Sequence, residues 1–366
     1  MEINRVIISG GGTGGHIFPA IAIADEIKRR NPDCEILFVG ALGKMEMEKV
    51  PKAGYKIVGL PIVGFQRKFT FSNFLLPFKI IKSLHQARKI IKNFKPQIVI
   101  GVGGYASGPT LRAAIFRKIP TLIQEQNSFP GKTNKILAKN VTKICTAYEG
   151  LEKFFPKEKI MVTGNPVRLE VIQTEGKKEE AYSHFGLDPN KKTILVIGGS
   201  LGARTLNESV INSLDLLKEK DVQVLWQCGK FYYSTLKETF SKENYPNIHL
   251  NEFIFQMDLV YAAADLIISR AGAIAVSELC LIAKPTILVP SPNVAEDHQT
   301  KNAMALVSKN AAILIKDSEA KENLFSEAIN ILGNENKQKE LIGNIKKLGL
   351  PKATENIVDE IEKIIK

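Results

Sequence analysis

Short, β-branched apolar runs alternate with longer amphipathic stretches along the first half of the chain. Arg5–Ser9, Glu35–Val39, Gln97–Gly101 and Thr121–Gln124 read as strands, and Pro19–Arg30, Ser83–Asn93 and Pro109–Phe116 as helices. This alternation predicts a parallel, doubly wound sheet. A second cycle starts after Asn165-Pro166. Thr193–Ile197, Val222–Gln227, Leu266–Ser269, Thr286–Val289 and Ala312–Ile315 read as strands, with helices over Thr205–Leu217 and Ala273–Leu281. The polar stretch Gln173–Tyr182 reads as a solvated loop. After Pro351, an amphipathic helix over Ala353–Ile365 puts Ile357, Ile361, Ile364 and Ile365 on one stripe. The pattern predicts two α/β, Rossmann-like domains facing across a cleft, over residues 1–163 and 164–350, with the helix in 351–366 packing back on the first. Ligands of such sheets bind beyond the carboxyl ends of the strands.

Composition agrees with two folded domains: 366 residues, 44% hydrophobic and 24% charged. Cys34, Cys145, Cys228 and Cys280 show no Cys-x-x-Cys spacing, which argues against a zinc site or a disulfide framework. Met1-Glu2-Ile3-Asn4-Arg5 runs straight into a strand without the zones of a signal peptide, so a cytoplasmic location is expected. No apolar run approaches the ~18–20 residues of a spanning helix.

Charge is uneven. Residues 1–163 hold 26 Lys and Arg against 11 Asp and Glu, whereas 164–366 hold 24 against 27. Between Glu48 and Glu125 there are 14 basic residues and no acidic one. The first domain should therefore face something anionic. Within Gly64–Lys95, Phe65, Phe69, Phe71, Phe74, Leu75, Leu76, Phe78, Ile80 and Ile81 accompany Arg67, Lys68, Lys79, Lys82, Arg88, Lys89, Lys92 and Lys95. Apolar anchors beside unopposed cations suit an anionic bilayer surface; a core helix with a solvated face is the plainer alternative. The chain has no recognised nucleic-acid-binding module, and no nucleic-acid partner is expected.

Three glycine-rich loops each follow a strand and enter a helix: Gly10–His16, Gly101–Pro109 and Gly198–Arg204. Such loops let backbone approach a ligand and aim helix N–H groups at an anion, so diphosphate binding is expected; tight packing alone also favours glycine there. The first contains G-x-G-x-x-G, but the second strand ends Phe38-Val39-Gly40, without the acidic residue that binds the ribose of a nicotinamide cofactor.

GGTGGH, GVGGYASGP, QEQNSFPG, TGNPVR, GGSLGAR, SRAGAIAVSEL and PNVAEDHQTKNA, in this order over nearly the whole chain, resemble the MurG family of undecaprenyldiphospho-muramoylpentapeptide β-N-acetylglucosaminyltransferases. Gln124 and Ala271 depart from the family's frequent His and Ser. The resemblance implies the glycosyltransferase B architecture. It also implies inverting transfer from UDP-GlcNAc to undecaprenyl-pyrophosphoryl-muramoyl-pentapeptide, forming a β-1,4 linkage at the cytoplasmic face of the inner membrane, with the protein held peripherally.

By the same resemblance Glu278 meets the ribose and Ile254 the uracil, through backbone groups. Arg168 and Ser200 meet the diphosphate, with the helix start Ala273, Ile274, Ala275, Val276, Ser277. Thr13, Gly14, Gly15, Asn127 and Gln299 complete the donor pocket, and Gly103, Gly104 and Tyr105 suit the acceptor pyrophosphate. His16 is a candidate general base, with donor binding or helix capping as its other readings; Glu125 is the second candidate base. No Asp-x-Asp motif occurs, so catalysis without metal or cofactor is expected. A diacylglycerol glycosyltransferase, a UDP-GlcNAc 2-epimerase and a non-catalytic nucleotide-binding protein remain alternatives.

Overall fold

Val6, Ile7 and Ile8 lie consecutively with no solvent exposure, as expected of a strand covered on both faces. Val6 and Ile8 enter one apolar cluster with Ile23 and Ile27, while Ile7 enters another with Ala87 and Leu111. A computed structural model describes residues 3–62, 76–240 and 245–365 of the chain. Of the apolar and basic stretch, Phe65, Arg67, Lys68, Phe69, Phe71, Phe74 and Leu75 lie outside the described residues.

The chain forms two compact units, Met1–Val167 with Pro351–Lys366, and Arg168–Leu350. In the first, β1 (Arg5–Ser9), β2 (Glu35–Ala41), β3 (Lys56–Leu60), β4 (Ile98–Gly101), β5 (Thr121–Glu125), β6 (Lys143–Thr146) and β7 (Ile160–Val162) make a parallel sheet in the order β3-β2-β1-β4-β5-β6-β7. In the second, β8 (Lys192–Ile197), β9 (Val222–Gln227), β10 (Ile248–Asn251), β11 (Leu266–Ser269), β12 (Thr286–Leu288) and β13 (Ile313–Leu314) follow the order β10-β9-β8-β11-β12-β13, again parallel. Each order reverses direction once, between β1 and β4 and between β8 and β11. Those are the switch points where loops diverge and ligands of such sheets bind.

Gly164–Val167, expected to open the second domain, belongs to the first unit. Asn165 holds it there: its Oδ1 accepts from Gln124 Nε2 at 2.9 Å and its Nδ2 donates to the Gln126 carbonyl at 3.0 Å. The stretch expected as one helix over Thr205–Leu217 is two, Arg204–Asn212 and Leu214–Glu219, parted at Ser213, whose φ of −108° and ψ of 11° leave the helical region.

The helix Ala353–Ile365 belongs to the first unit although it follows the second in sequence. Ile357, Val358 and Ile361 are fully buried in the cluster that holds Ile23 and Ile27 of the helix Gly14–Arg30. Arg30 Nη1 donates to Asp359 Oδ1 at 2.6 Å and to Glu362 Oε1 at 3.1 Å, which fixes the rotation of one helix on the other.

Candidate active site

At the first switch point, the loops after β1 and β4 pack directly on each other. A Cβ on Gly104, whose φ is +84°, would stand 2.4 Å from the Gly11 carbonyl oxygen, and one on Gly103 would stand 2.8 Å from His16 Nε2. Glycine is therefore required here by loop-on-loop contact, a demand separate from any ligand. His16 lies in the first turn of the helix Gly14–Arg30, and its Nδ1 is 3.0 Å from the Gly11 carbonyl and 3.2 Å from Thr13 Oγ1. Because a carbonyl only accepts, the contact to Gly11 is a hydrogen bond in the tautomer that carries its proton on Nδ1. Tyr105 is half exposed on the same loop pair, and Ser107 Oγ donates to the Gly104 carbonyl at 2.9 Å.

Glu125 closes β5 and is buried. Its Oε1 accepts from Asn127 N–H at 3.0 Å and Asn127 Nδ2 at 3.2 Å, and its Oε2 from Gly131 N–H at 3.2 Å and Asn134 Nδ2 at 2.8 Å. Burial raises its pKa, against the pull of those donors. With both oxygens accepting from its own loop, this carboxylate braces residues 126–134. Asn127, bonded to it, is placed by the same brace.

In the second unit the candidates gather beyond the carboxyl ends of the strands: Ser200 after β8, Ile254 after β10, Ala273–Glu278 after β11 and Gln299 after β12. Ser200 is exposed on a loop in which a Cβ on Gly202 would stand 2.0 Å from the Cys228 carbonyl oxygen, so this loop too is glycine-bound by close packing. The helix Ala273–Ile282 starts after Gly272, which offers no capping side chain, and its first turn holds no acidic residue. That end presents backbone N–H groups and the positive end of the helix dipole.

Glu278, on that helix, accepts from the Tyr261 hydroxyl at 3.2 Å. Burial pushes its carboxyl up to about 7, opposed by that bond and by the Arg168 guanidinium. The second unit thus brings Arg168 into electrostatic reach of Glu278. The Ile254 N–H donates to Gln227 Oε1 at 2.9 Å, so the backbone group it can offer a base is its carbonyl, not its N–H. Gln299 Oε1 accepts from Ser291 N–H at 2.8 Å, which fixes which way its amide points.

Sequence reasoning missed a cross-tie. Arg270 Nη1 donates to the carbonyls of Val289 at 3.0 Å and Pro290 at 3.3 Å and to Asp317 Oδ1 at 2.5 Å, while Thr205 Oγ1 donates to Asp317 Oδ2 at 2.8 Å. One guanidinium ties the ends of β11, β12 and β13 to the helix after the third glycine loop. Tyr261 and Gln227 were also unread, since a buried Tyr or Gln leaves no periodic signal.

The model of the glycosyltransferase family 28 N-terminal domain matches residues 6–146, and that of the glycosyltransferase family 28 C-terminal domain matches residues 193–357. The chain belongs to glycosyltransferase family 28. Two relatives, from Parabacteroides distasonis and Flavobacterium psychrophilum, are 57% and 55% identical over 365 residues, covering 100% of this chain and 99% of each of theirs. Both are named UDP-N-acetylglucosamine–N-acetylmuramyl-(pentapeptide) pyrophosphoryl-undecaprenol N-acetylglucosamine transferase. The crystal structure of MurG from Acinetobacter baumannii superposes with a TM-score of 0.79 at 30% identity, over 98% of this chain and 99% of that one. The family 28 chain therefore shares fold and full-length sequence with transferases of that name.

Proposed function

We propose that this family 28 enzyme transfers N-acetylglucosamine from UDP-GlcNAc, with inversion, to the muramoyl-pentapeptide of an undecaprenyl-pyrophosphate-linked precursor in peptidoglycan synthesis. The observation that carries the reading is the end-to-end match to relatives named for this reaction. Neither diacylglycerol glycosylation nor 2-epimerisation is in those names.

On this reading an acceptor sugar hydroxyl attacks the anomeric carbon of the donor, the bond from that carbon to the diphosphate oxygen breaks, and UDP departs with the bonding pair. His16, with its proton on Nδ1, takes the hydroxyl proton at Nε2. The charge gained by the leaving diphosphate is offset by Arg168, the Ser200 loop and the helix start Ala273, Ile274, Ala275, Val276, Ser277. Glu278 accepts from the ribose hydroxyls, the Ile254 carbonyl meets the uracil, and Thr13, Gly14, Gly15, Asn127 and Gln299 hold the sugar and the rest of the donor. Gly103, Gly104 and Tyr105 take the acceptor pyrophosphate.

The first unit supplies the membrane contact on this reading. On the helix Leu76–Phe94, Ser83, Ala87 and Ile91 are buried at four-residue spacing, yet Phe78 is 71% and Ile81 65% exposed; Phe116, at the end of the helix Ser107–Phe116, is 73% exposed. Exposed Lys82, Arg88, Lys89 and Lys92 accompany them, with the Arg88 guanidinium 4.9 Å from the Phe116 ring centroid. Apolar side chains that a solvated face has no use for, set among cations, favour peripheral attachment to an anionic bilayer. No helix among the described residues is long and apolar enough to cross a membrane.

The test is incubation with labelled UDP-GlcNAc and lipid-pyrophosphoryl muramoyl-pentapeptide, beside UDP-glucose and diacylglycerol. Label is expected only in the first lipid product; label only in the second pair would overturn the proposal.

A further inference from the structure

Glu46 is a carboxylate sealed from solvent beneath the first glycine loop. Its Oε1 accepts from Ala41 N–H at 2.9 Å, at the end of β2, and its Oε2 from Gly12 N–H at 2.8 Å. The neighbouring backbone makes room for it: a Cβ on Gly11 would stand 2.2 Å from the Glu46 carboxyl carbon, and one on Gly40 2.5 Å from its Cγ. The Gly12 N–H and the Gly11 carbonyl are the two ends of one peptide group, and that carbonyl accepts from His16 Nδ1 at 3.0 Å. Carboxylate, peptide and imidazole therefore form a single hydrogen-bonded line.

We propose that Glu46 is a positioning residue for His16, acting through the Gly11–Gly12 peptide to fix the ring and keep its proton on Nδ1. This rests on the reading of His16 as general base. A peptide whose N–H donates to a carboxylate has a more strongly accepting carbonyl, because hydrogen bonds in a chain polarise one another. The acceptor at one ring nitrogen decides which tautomer a histidine adopts. The arrangement does for this ring what a directly bonded carboxylate does elsewhere, with a backbone amide inserted. Thr13 Oγ1, 3.2 Å from Nδ1, lies on the same side of the ring and leaves that assignment unchanged.

Glu46→Gln is the informative variant. Glutamine replaces one accepting oxygen by an NH2, so either the Ala41 or the Gly12 N–H loses its acceptor and the Gly11–Gly12 peptide is no longer held by a charged group. The chain has five histidines, so with 15N-labelled histidine the His16 signals are assigned by their loss in His16→Ala. The wild type is expected to show the Nδ1–H tautomer, and Glu46→Gln a mixture of tautomers. With UDP-GlcNAc and lipid-pyrophosphoryl muramoyl-pentapeptide, kcat should fall about 10–100-fold in Glu46→Gln, as for loss of an orienting partner, while KM for UDP-GlcNAc stays within about twofold.

An Nε2–H tautomer in the wild type overturns the proposal, and so does wild-type kcat in a folded Glu46→Gln. If Glu46→Gln fails to fold, Glu46→Asp replaces it: the charge is kept but the reach is one methylene short, and a kcat loss with unchanged KM is expected, wild-type kcat being the refutation. Undiminished turnover in His16→Ala removes the base reading alone; the wild-type tautomer then still decides whether Glu46 sets the ring.

Discussion

Glu278→Gln should stabilise the second unit while weakening its grip on the nucleotide, and the size of the first effect should depend on pH. The Glu278 carboxyl is pushed from the ordinary 4.5 up to about 7 in the folded chain. Between those values the folded state holds a proton that the unfolded state has released, so stability falls as pH rises through this window and the penalty is constant above it. With about 1.36 kcal/mol per tenfold change in proton affinity, the penalty is about 1 kcal/mol at pH 5.5 and about 3 kcal/mol at pH 8. Glutamine keeps an acceptor for the Tyr261 hydroxyl and removes the charge, so it should recover most of that difference.

The chain has one tryptophan, Trp226, fully buried in the core of the same unit. Denaturant titration followed by its fluorescence therefore reads the right domain. Glu278→Gln should be the more stable protein at pH 8, by an amount that shrinks by roughly 2 kcal/mol at pH 5.5. UDP should bind it about 10–100-fold more weakly, since bonds from ribose hydroxyls to a carboxylate exceed those to an amide by about 1–3 kcal/mol. An equal stability change at both pH values, or a destabilised variant at pH 8, would refute the reasoning about burial. Unchanged UDP affinity, measured by calorimetry, would refute the ribose assignment.

Three further outcomes are expected. Gly104→Ala puts a methyl 2.4 Å from the Gly11 carbonyl oxygen at a φ of +84°, and should destabilise the fold by about 2 kcal/mol or more, seen as a lower melting temperature, and reduce turnover; a wild-type melt would mean the two loops are not locked together. Changing Lys79, Lys82 and Lys89 to Glu should weaken flotation with anionic vesicles on the order of 100-fold, at ~1 kcal/mol per cation lost, with no change on neutral vesicles; equal retention would remove the basic helix from the membrane contact. Cys34, Cys145, Cys228 and Cys280 are all buried as free thiols, pushed up by burial to between about 11 and about 12. The native protein should therefore react slowly with a thiol-specific disulfide reagent, and a rapid stoichiometric reaction would contradict that burial.

The strands buried on both faces were legible because an uninterrupted run such as Val6-Ile7-Ile8 has few other uses. Lys56–Leu60, Lys143–Thr146 and Ile160–Val162 were not read. The first carries a glycine, and the last is an edge strand with Met161 and Val162 partly exposed, so none shows a clean pattern. The glycine loops were visible, but half their reason was not: Gly11, Gly40, Gly103 and Gly104 are shaped by Glu46, by His16 and by one another as well as by any diphosphate. Glu46 itself carries no distinguishing signal in Lys44-Met45-Glu46-Met47-Glu48. Only three-dimensional placement makes it differ from Glu48, which is exposed and pairs with Lys52. Arg270 sat inside a recognised motif yet carried no role, because its acceptors lie 19, 20 and 47 positions away.

The helix that completes the first core, Ala353–Ile365, is made only after the whole of the second unit. The face formed by Ile23 and Ile27 stays uncovered while about 180 residues of the other unit are made, which takes ~10–40 s at 5–20 residues per second. During that interval the first unit is a nearly finished fold with an open apolar seam, a natural substrate for chaperones and proteases. A chain cut short anywhere in the second unit lacks that helix and so leaves the cores of both units incomplete.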